Sequence, residues 1–275
     1  MQITDHVFVV TGGGNGIGRE VVLALLSRGG RVAAVDRSRK GLDETSALAT
    51  TASPDRLSTH VVDLTDRAAV EALPEAVREA HGRVDGLVNV AGIIQPFVKF
   101  ADLEYPQMEK VLAVNLWGVI HTCKAFLPEL LARPAACIVN VSSMGALAPV
   151  PGQTMYGASK AAVKLFTEGL YAELRETSVA VTVVFPGAVN TGIAQNSGVA
   201  VPGMDAAPAD LAASMTSAPD AARQIVQGIE KGSYRVVIGK DARGLDRLSR
   251  LSPQRATDLI AKKMASLLPS DPVTR

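Results

Sequence analysis

Short runs that read as strands recur along this chain, and each is followed by a stretch with helical spacing. His6–Thr11 (HVFVVT), Arg31–Asp36, Leu57–Val62, Gly86–Val90, Ala136–Val141, Val179–Phe185 and Arg235–Ile238 all have the length of a strand. His6–Thr11 is continuously apolar, as expected of a strand covered on both faces in a parallel sheet. Between them lie amphipathic patterns. Val21, Val22, Leu25 and Leu26 mark a helix that stops at Gly29-Gly30, and Leu42–Ala49 marks a second. A third runs from Thr65 to Ala80, where Pro74 should kink or restart it; Asp63, at a strand's carboxyl end where ligands collect, or Thr65 would in the plainer alternative cap it. Helical spacing then covers Leu103–Leu131, broken by Pro106 and Pro128, and continues from Tyr156 to Arg175 and over Pro219–Lys231. Strand and helix alternate throughout, which predicts a doubly wound α/β domain around a seven-stranded parallel sheet.

Two segments depart from the alternation. Gly192–Ala218 is rich in Ala, Gly, Pro and Ser, with Met204, Leu211 and Met215 spaced through it. A loop of that length in a compact domain is usually functional, and it reads as a substrate lid with an apolar inner face. From Lys240 onward the chain carries eight Lys/Arg against four Asp, with leucines at helical spacing. Residues 1–240 therefore read as the catalytic domain. Residues 241–275 read as a basic helical extension packed on that domain or on a partner subunit, a lipid surface being the alternative.

Composition narrows the class. Of the 275 residues, 47% are hydrophobic, enough for a large core, and a net charge of +1 gives no global attraction to nucleic acid. The two cysteines, Cys123 and Cys137, form no metal motif and suit a reducing compartment. No metal site is expected. No apolar stretch approaches the roughly 20 residues of a membrane span, and no basic-then-apolar leader precedes the first strand. The expectation is a cytoplasmic protein.

Candidate chemistry begins where the first strand meets Gly12-Gly-Gly-Asn15-Gly16-Ile17-Gly18 and the first helix. Strand, glycine turn and helix together let backbone approach a pyrophosphate at a helix N-terminus. The loop lacks the Lys-Ser/Thr of a P-loop. Asp36 closes the second strand, where a carboxylate can bond a ribose 2′-hydroxyl and repel a 2′-phosphate. NAD is thus expected over NADP, although Arg37 follows at once. Asp63-Leu64 ends the third strand and Asn89-Val90-Ala91-Gly92 the fourth, both beside the expected dinucleotide. Asn115, alone in an apolar helix, needs partners or marks a polar irregularity facing the site. Ser142 and Ser143 leave the fifth strand, and Tyr156 and Lys160 stand at i, i+4 on one helix face. Lys160 beneath the phenol would draw its pKa down toward neutrality, a preference on the order of 4 kcal/mol.

Taken in order, TGGGNGIG (11–18), Asp36, Asp63, NVAG (89–92), Asn115, Ser143, YGASK (156–160) and PGAVNT (186–191) resemble the short-chain dehydrogenase/reductase family over residues 5–240. The resemblance implies that Tyr156 is the general acid/base, and that Lys160 lowers its pKa and binds the nicotinamide ribose. It implies that Ser143 bonds the substrate oxygen and that Asn115 holds a relay water. Thr191 and the Val189 backbone would fix the carboxamide, with Pro186 and Gly187 also at the cofactor. The reaction implied interconverts a secondary alcohol and a ketone, and the scarcity of charge between Ala194 and Ala218, with Ile93, Ile94, Phe97 and Val98, suggests an apolar substrate. Members are commonly homodimers or homotetramers paired through the Asn115 and Tyr156 helices. Val90 stands where the family usually has a second Asn, which bears on a bond near the adenosine ribose. A non-catalytic dinucleotide-binding protein of the same fold is the competing reading.

Overall fold

The computed structural model describes residues 1–49, 54–202 and 215–268. Seven parallel strands, β1 Val7–Thr11, β2 Arg31–Asp36, β3 Leu57–Val61, β4 Gly86–Asn89, β5 Ala136–Val141, β6 Val179–Pro186 and β7 Arg235–Ile238, form one sheet in the order 3-2-1-4-5-6-7. The expected architecture is present. The order reverses between β1 and β4, so a crevice opens beyond their carboxyl ends, and ligands collect there in open α/β sheets. Val9 pairs with Ala33 on one side and Leu87 on the other, setting the register of the three strands that frame it.

Period-two alternation sorts the strand side chains into two cores. Phe8 and Val10 face one layer with Val21 and Leu25 of helix α1 (Gly16–Leu26) and with Ile225 and Ile229 of Ala218–Lys231. Val7 and Val9 face the other, with Val77, Phe126 and Leu130. Among the described residues the other helices are α2 Arg39–Leu48, α3 Arg67–His81, α4 Tyr105–Leu112, α5 Gly118–Leu131, α6 Thr154–Leu174 and the short α7 Ile193–Ser197. After these come α8, the Ala218–Lys231 helix already placed, then α9 Lys240–Leu251 and α10 Pro253–Lys263. A single π turn, Ala113–Trp117, joins α4 to α5 and holds Asn115.

Several expectations need correcting. Pro74 lies inside α3 without ending it, because Val70, Leu73 and Val77 bury one continuous stripe across the proline. The N-cap of α3 is Asp66, whose carboxylate accepts from the Ala69 N–H; neither Asp63 nor Thr65 takes that place. Pro128 likewise sits within α5, whereas Pro106 lies in the first turn of α4, where no donor is missed. Tyr105–Leu131 forms a 27-residue helix long and apolar enough, by length and composition alone, to cross a membrane. In this fold its Val119, Cys123, Phe126 and Leu130 are buried in the second core.

The lid expected at 192–218 is described only in part, since Met204 and Leu211 lie outside the described residues. Its first residues form α7, and Val189–Asn190 pairs with Thr216–Ser217 in a two-residue ladder at its base. The extension folds back onto its own chain. Leu245, Ala256 and Ile260 close a third small core with Ala148, flanked by Met144, Val150 and Met264.

Candidate active site

The glycine turn is shaped by contacts that no other residue tolerates. Gly12 has φ +71°, and a Cβ there would sit 3.0 Å from the Ala91 backbone. A Cβ on Gly18 would lie 2.0 Å from the Gly12 carbonyl oxygen, so the start of α1 rests directly on the turn. Thr11 Oγ1 accepts from the Val90 and Ala91 N–H groups, at 3.1 and 3.3 Å, and locks the end of β4 against the turn. Asn15 precedes α1 without capping it, so the first-turn N–H groups have no side-chain partner. The Asn15 Oδ1 accepts instead from Asn196 Nδ2 of α7, at 2.8 Å.

Asp36 closes β2 beside this turn. Its two carboxylate oxygens accept from Gly14 N–H at 3.0 Å and Ser38 N–H at 2.9 Å, which fixes the charge in place. Arg37 is exposed and donates to the Asn196 carbonyl at 3.2 Å, across the groove. Asp63 is exposed, and the Thr65 N–H holds its carboxyl below the usual range. Leu64 is buried beside it.

At the other end, β5 delivers two serines with different duties. Ser142 Oγ donates to the Lys160 carbonyl at 2.7 Å and so supports the helix. Ser143 Oγ accepts from the Gly145 N–H at 3.0 Å, and its hydroxyl favours the ionised form of the Tyr156 phenol. Lys160 is buried, with Nζ donating to the Val141 carbonyl at 3.0 Å. A Cβ on Gly92 would come 3.1 Å from that ammonium, so the Gly at this point leaves it room.

The electrostatics differ from the expectation drawn on Lys160. Burial raises the Tyr156 phenol above its ordinary value, opposed by the bond from Ser143, and does not leave it depressed. Burial also pushes Lys160 down to about 8. Desolvation disfavours phenolate and ammonium alike, and it is the largest cause of both shifts.

Asn115 does face inward from an irregular turn, and it is wholly buried. Its Oδ1 accepts from Ile93 N–H at 2.8 Å, and its Nδ2 donates to the Ile93 carbonyl at 2.9 Å and Ser159 Oγ at 3.0 Å. The amide therefore ties the segment after β4 to α6 and does not itself line the cavity. Asn89, expected beside the cofactor, is also buried away from it. Its amide bonds Asn140 on β5 and Thr122 on α5, because a polar residue buried at the end of a central strand needs partners there.

A cavity of about 390 Å³ joins these parts. Asp36, Arg37 and Asp63 line one end, and Gly12, Asn15, Gly16, Ile17 and Gly18 its floor. Leu64, Ala91, Gly92, Pro186, Gly187, Val189 and Thr191 line the middle, with Ser143, Tyr156 and Lys160 beyond. The far wall is apolar, including Ile94, Phe97, Val114, Met144, Met215 and Met264. The comparisons decide the family. A profile described as short chain dehydrogenase matches residues 6–200. The chain belongs to the short-chain dehydrogenase family.

This dehydrogenase is 37% identical over 273 residues to a Mycobacterium tuberculosis protein named as an oxidoreductase, SadH, covering 96% of each. It is 36% identical to EphD of Mycobacterium bovis, likewise named as an oxidoreductase, over 91% of this chain and 44% of that one. Among solved structures, a short-chain dehydrogenase/reductase from Burkholderia phymatum in complex with NAD has a TM-score of 0.82 at 27% identity, covering 100% of both chains. One from Burkholderia cenocepacia in complex with NADP has a TM-score of 0.77 at 25% identity, covering 96% and 99%. The protein is thus an oxidoreductase whose fold binds NAD or NADP. Its glycine turn, uncapped α1 and fixed Asp36 fit such a dinucleotide.

Sequence reading missed three residues of this dehydrogenase. Gln95 is fully buried and bonds the first turn of α6. Asp241, from the extension, accepts from Ala188 N–H at 2.7 Å, and a Cβ on Gly187 would stand 2.2 Å from its carboxylate. Met264, also from the extension, walls the cavity. Each acts on a segment far away in sequence, so local pattern carries no sign of its partner.

Proposed function

We propose that this chain uses NAD(H) to interconvert a secondary alcohol and a ketone on an apolar substrate, as a cytoplasmic homodimer or homotetramer. The observation that carries the reading is a single cavity with Tyr156, Ser143 and Lys160 at one end and the glycine turn with Asp36 at the other.

The bound dinucleotide supplies the hydride acceptor or donor, and the protein supplies geometry and proton transfer. In the oxidative direction the Tyr156 phenolate oxygen takes the hydroxyl proton of the substrate; in the reductive direction the phenol returns it to the carbonyl oxygen. Ser143 Oγ, which lines the same cavity as the phenol, donates to the same substrate oxygen as charge develops there. Lys160 favours phenolate whenever it is charged. Asn115 would keep Lys160 in reach of a relay water, through the position it gives Ile93 and Ser159.

Coenzyme preference rests on Asp36. Both of its oxygens are pinned by backbone N–H groups, so the carboxylate cannot swing away from a 2′-phosphate. Arg37, the cation available to greet that phosphate, is bonded to Asn196. The apolar far wall supports the substrate class. Exposed Trp117 and Leu165, beside α5 and on α6, support pairing through those helices, and two buried free cysteines suit a reducing compartment.

A panel of secondary alcohols assayed with NAD+ and with NADP+ tests the proposal. Turnover of apolar alcohols with NAD+, at least about tenfold better in kcat/KM than with NADP+, is expected, since one charge repulsion of ~1.4 kcal/mol suffices. A preference for NADP+, or turnover confined to small polyols, would refute the corresponding part. In Tyr156→Phe, turnover should collapse while NADH binding survives.

A further inference from the structure

Helix α6 begins without a cap of its own. Gln153 stands at the N-cap position, and its side chain bonds no N–H of the first turn. The Met155 and Tyr156 N–H groups are part-buried against the segment after β4, where an unpaired donor is costly. Gln95, fully buried, supplies the missing acceptor from a distant part of the chain. Its Oε1 accepts from the Met155 N–H at 2.8 Å and from the Tyr156 N–H at 3.0 Å. Its Nε2 donates to the Gly152 carbonyl at 3.0 Å, and its own carbonyl accepts from Gln153 Nε2 at 2.7 Å. Gly152 has φ +77° and packs against the Phe97 backbone, so the turn before α6 and the segment after β4 form one unit.

We infer that Gln95 is a positioning residue for Tyr156, an uncharged cap made in trans that fixes where the catalytic helix starts and which way its tyrosine points. The inference rests on the reading of Tyr156 as the proton-exchanging group. A helix start most often takes Asp, Ser, Thr or Asn from the adjacent chain. Here an amide offers the same acceptor without bringing an anion next to a phenol that must ionise. The surroundings make that neutrality matter. Among the described residues, the ionisable side chains lining the cavity besides Tyr156 are Lys160 on the same helix and Asp36, Arg37 and Asp63 at the opposite end. From the segment after β4 come Ile93, Ile94 and Phe97, from the π turn Val114, and from the extension Met264, all uncharged. Gln95 also links the tyrosine to Ile94 and Phe97, so the wall that contacts substrate and the group that exchanges its proton move together.

Gln95→Leu and Gln95→Glu, assayed beside Tyr156→Phe, test this. In Gln95→Leu the cap is lost. We expect kcat to fall about 10- to 100-fold, the loss typical of a slightly misplaced group, with the Kd for NADH changed less than about twofold. Gln95→Glu keeps an acceptor for both N–H groups, so it serves if the leucine variant does not fold. It should recover part of kcat at high pH, with the acid limb of the oxidative pH–kcat profile moved to higher pH by the added negative charge. A merely structural role would leave that limb where it is in the parent. Parent-like kcat in Gln95→Leu, joint loss of NADH binding and kcat, or an unmoved limb in Gln95→Glu overturns the inference. Full turnover by Tyr156→Phe overturns the tyrosine reading and this inference with it. An inactive Tyr156→Phe with an unmoved Gln95→Glu limb overturns this inference alone.

Discussion

Lys160 shows how function and stability diverge at a single residue. It is a buried ammonium that, among the described residues, donates to the Val141 carbonyl alone, and burial brings its pKa down to about 8. Replacing a buried charge by an apolar group of similar shape is often neutral or stabilising. Lys160→Met should therefore lose at least about 100-fold in kcat without a lower thermal midpoint. Steady-state kinetics and a melt on the same preparation check both halves, and a lower midpoint would mean that the charge is structurally required. The sequence made Tyr156 and Lys160 visible through their spacing. It could not show that the site is dry enough to raise the phenol, since desolvation depends on which distant segments cover it.

At the scale of elements, the extension is part of the site. Asp241 lies in the first turn of α9, and its carboxylate holds the Ala188 N–H and presses on Gly187. A charge-assisted bond of this kind is worth about 1.5–3 kcal/mol. Asp241→Ala should weaken NADH binding by about tenfold or more, read by fluorescence titration; unchanged affinity would show that Gly187–Val189 holds its shape unaided. The strands and the glycine turn were legible from local pattern, because apolar runs and glycines report the same constraint wherever they occur. The continuity of α3 across Pro74 was not, because the stripe that spans the proline matters only once it faces the core.

Across the whole molecule, the two ends of the sheet carry different burdens. At the edge away from the cavity, Asp85 is buried and accepts from Val7 N–H at 2.9 Å and from Arg83 Nε and Arg133 Nε at 2.8 Å. One carboxylate thus joins the starts of β1, β4 and β5. Asp85→Ala should cost about 3–5 kcal/mol in denaturant unfolding and leave kcat of the folded fraction unchanged. A second device makes stability depend on pH. Ser58 Oγ lies 2.8 Å from Nε2 of both His60 and His81. Burial, with repulsion from Arg31, pushes His81 down to about 4 from an ordinary 6.5. Above about pH 6.5 the imidazole is neutral whether folded or unfolded. As pH falls toward 4, the unfolded chain binds the proton first, so stability declines through that window. Urea midpoints measured between pH 7 and pH 4.5 should drop, and His81→Gln should flatten the slope; a parallel slope would assign it to other groups.

What the sequence determined by itself follows from local rules. Period-two and helical spacing set the elements, the glycines set a turn that only they can make, and the Tyr156–Lys160 spacing puts two side chains on one helix face. Tertiary structure decided everything that depends on one segment covering another. It buried Asn89 in the sheet and freed Asp63 to solvent. It raised the tyrosine, capped its helix with Gln95, and brought Asp241 and Met264 to a site that the sequence places far from either. Desolvation and long-range hydrogen bonds have no period along the chain, and that is why no pattern announced them.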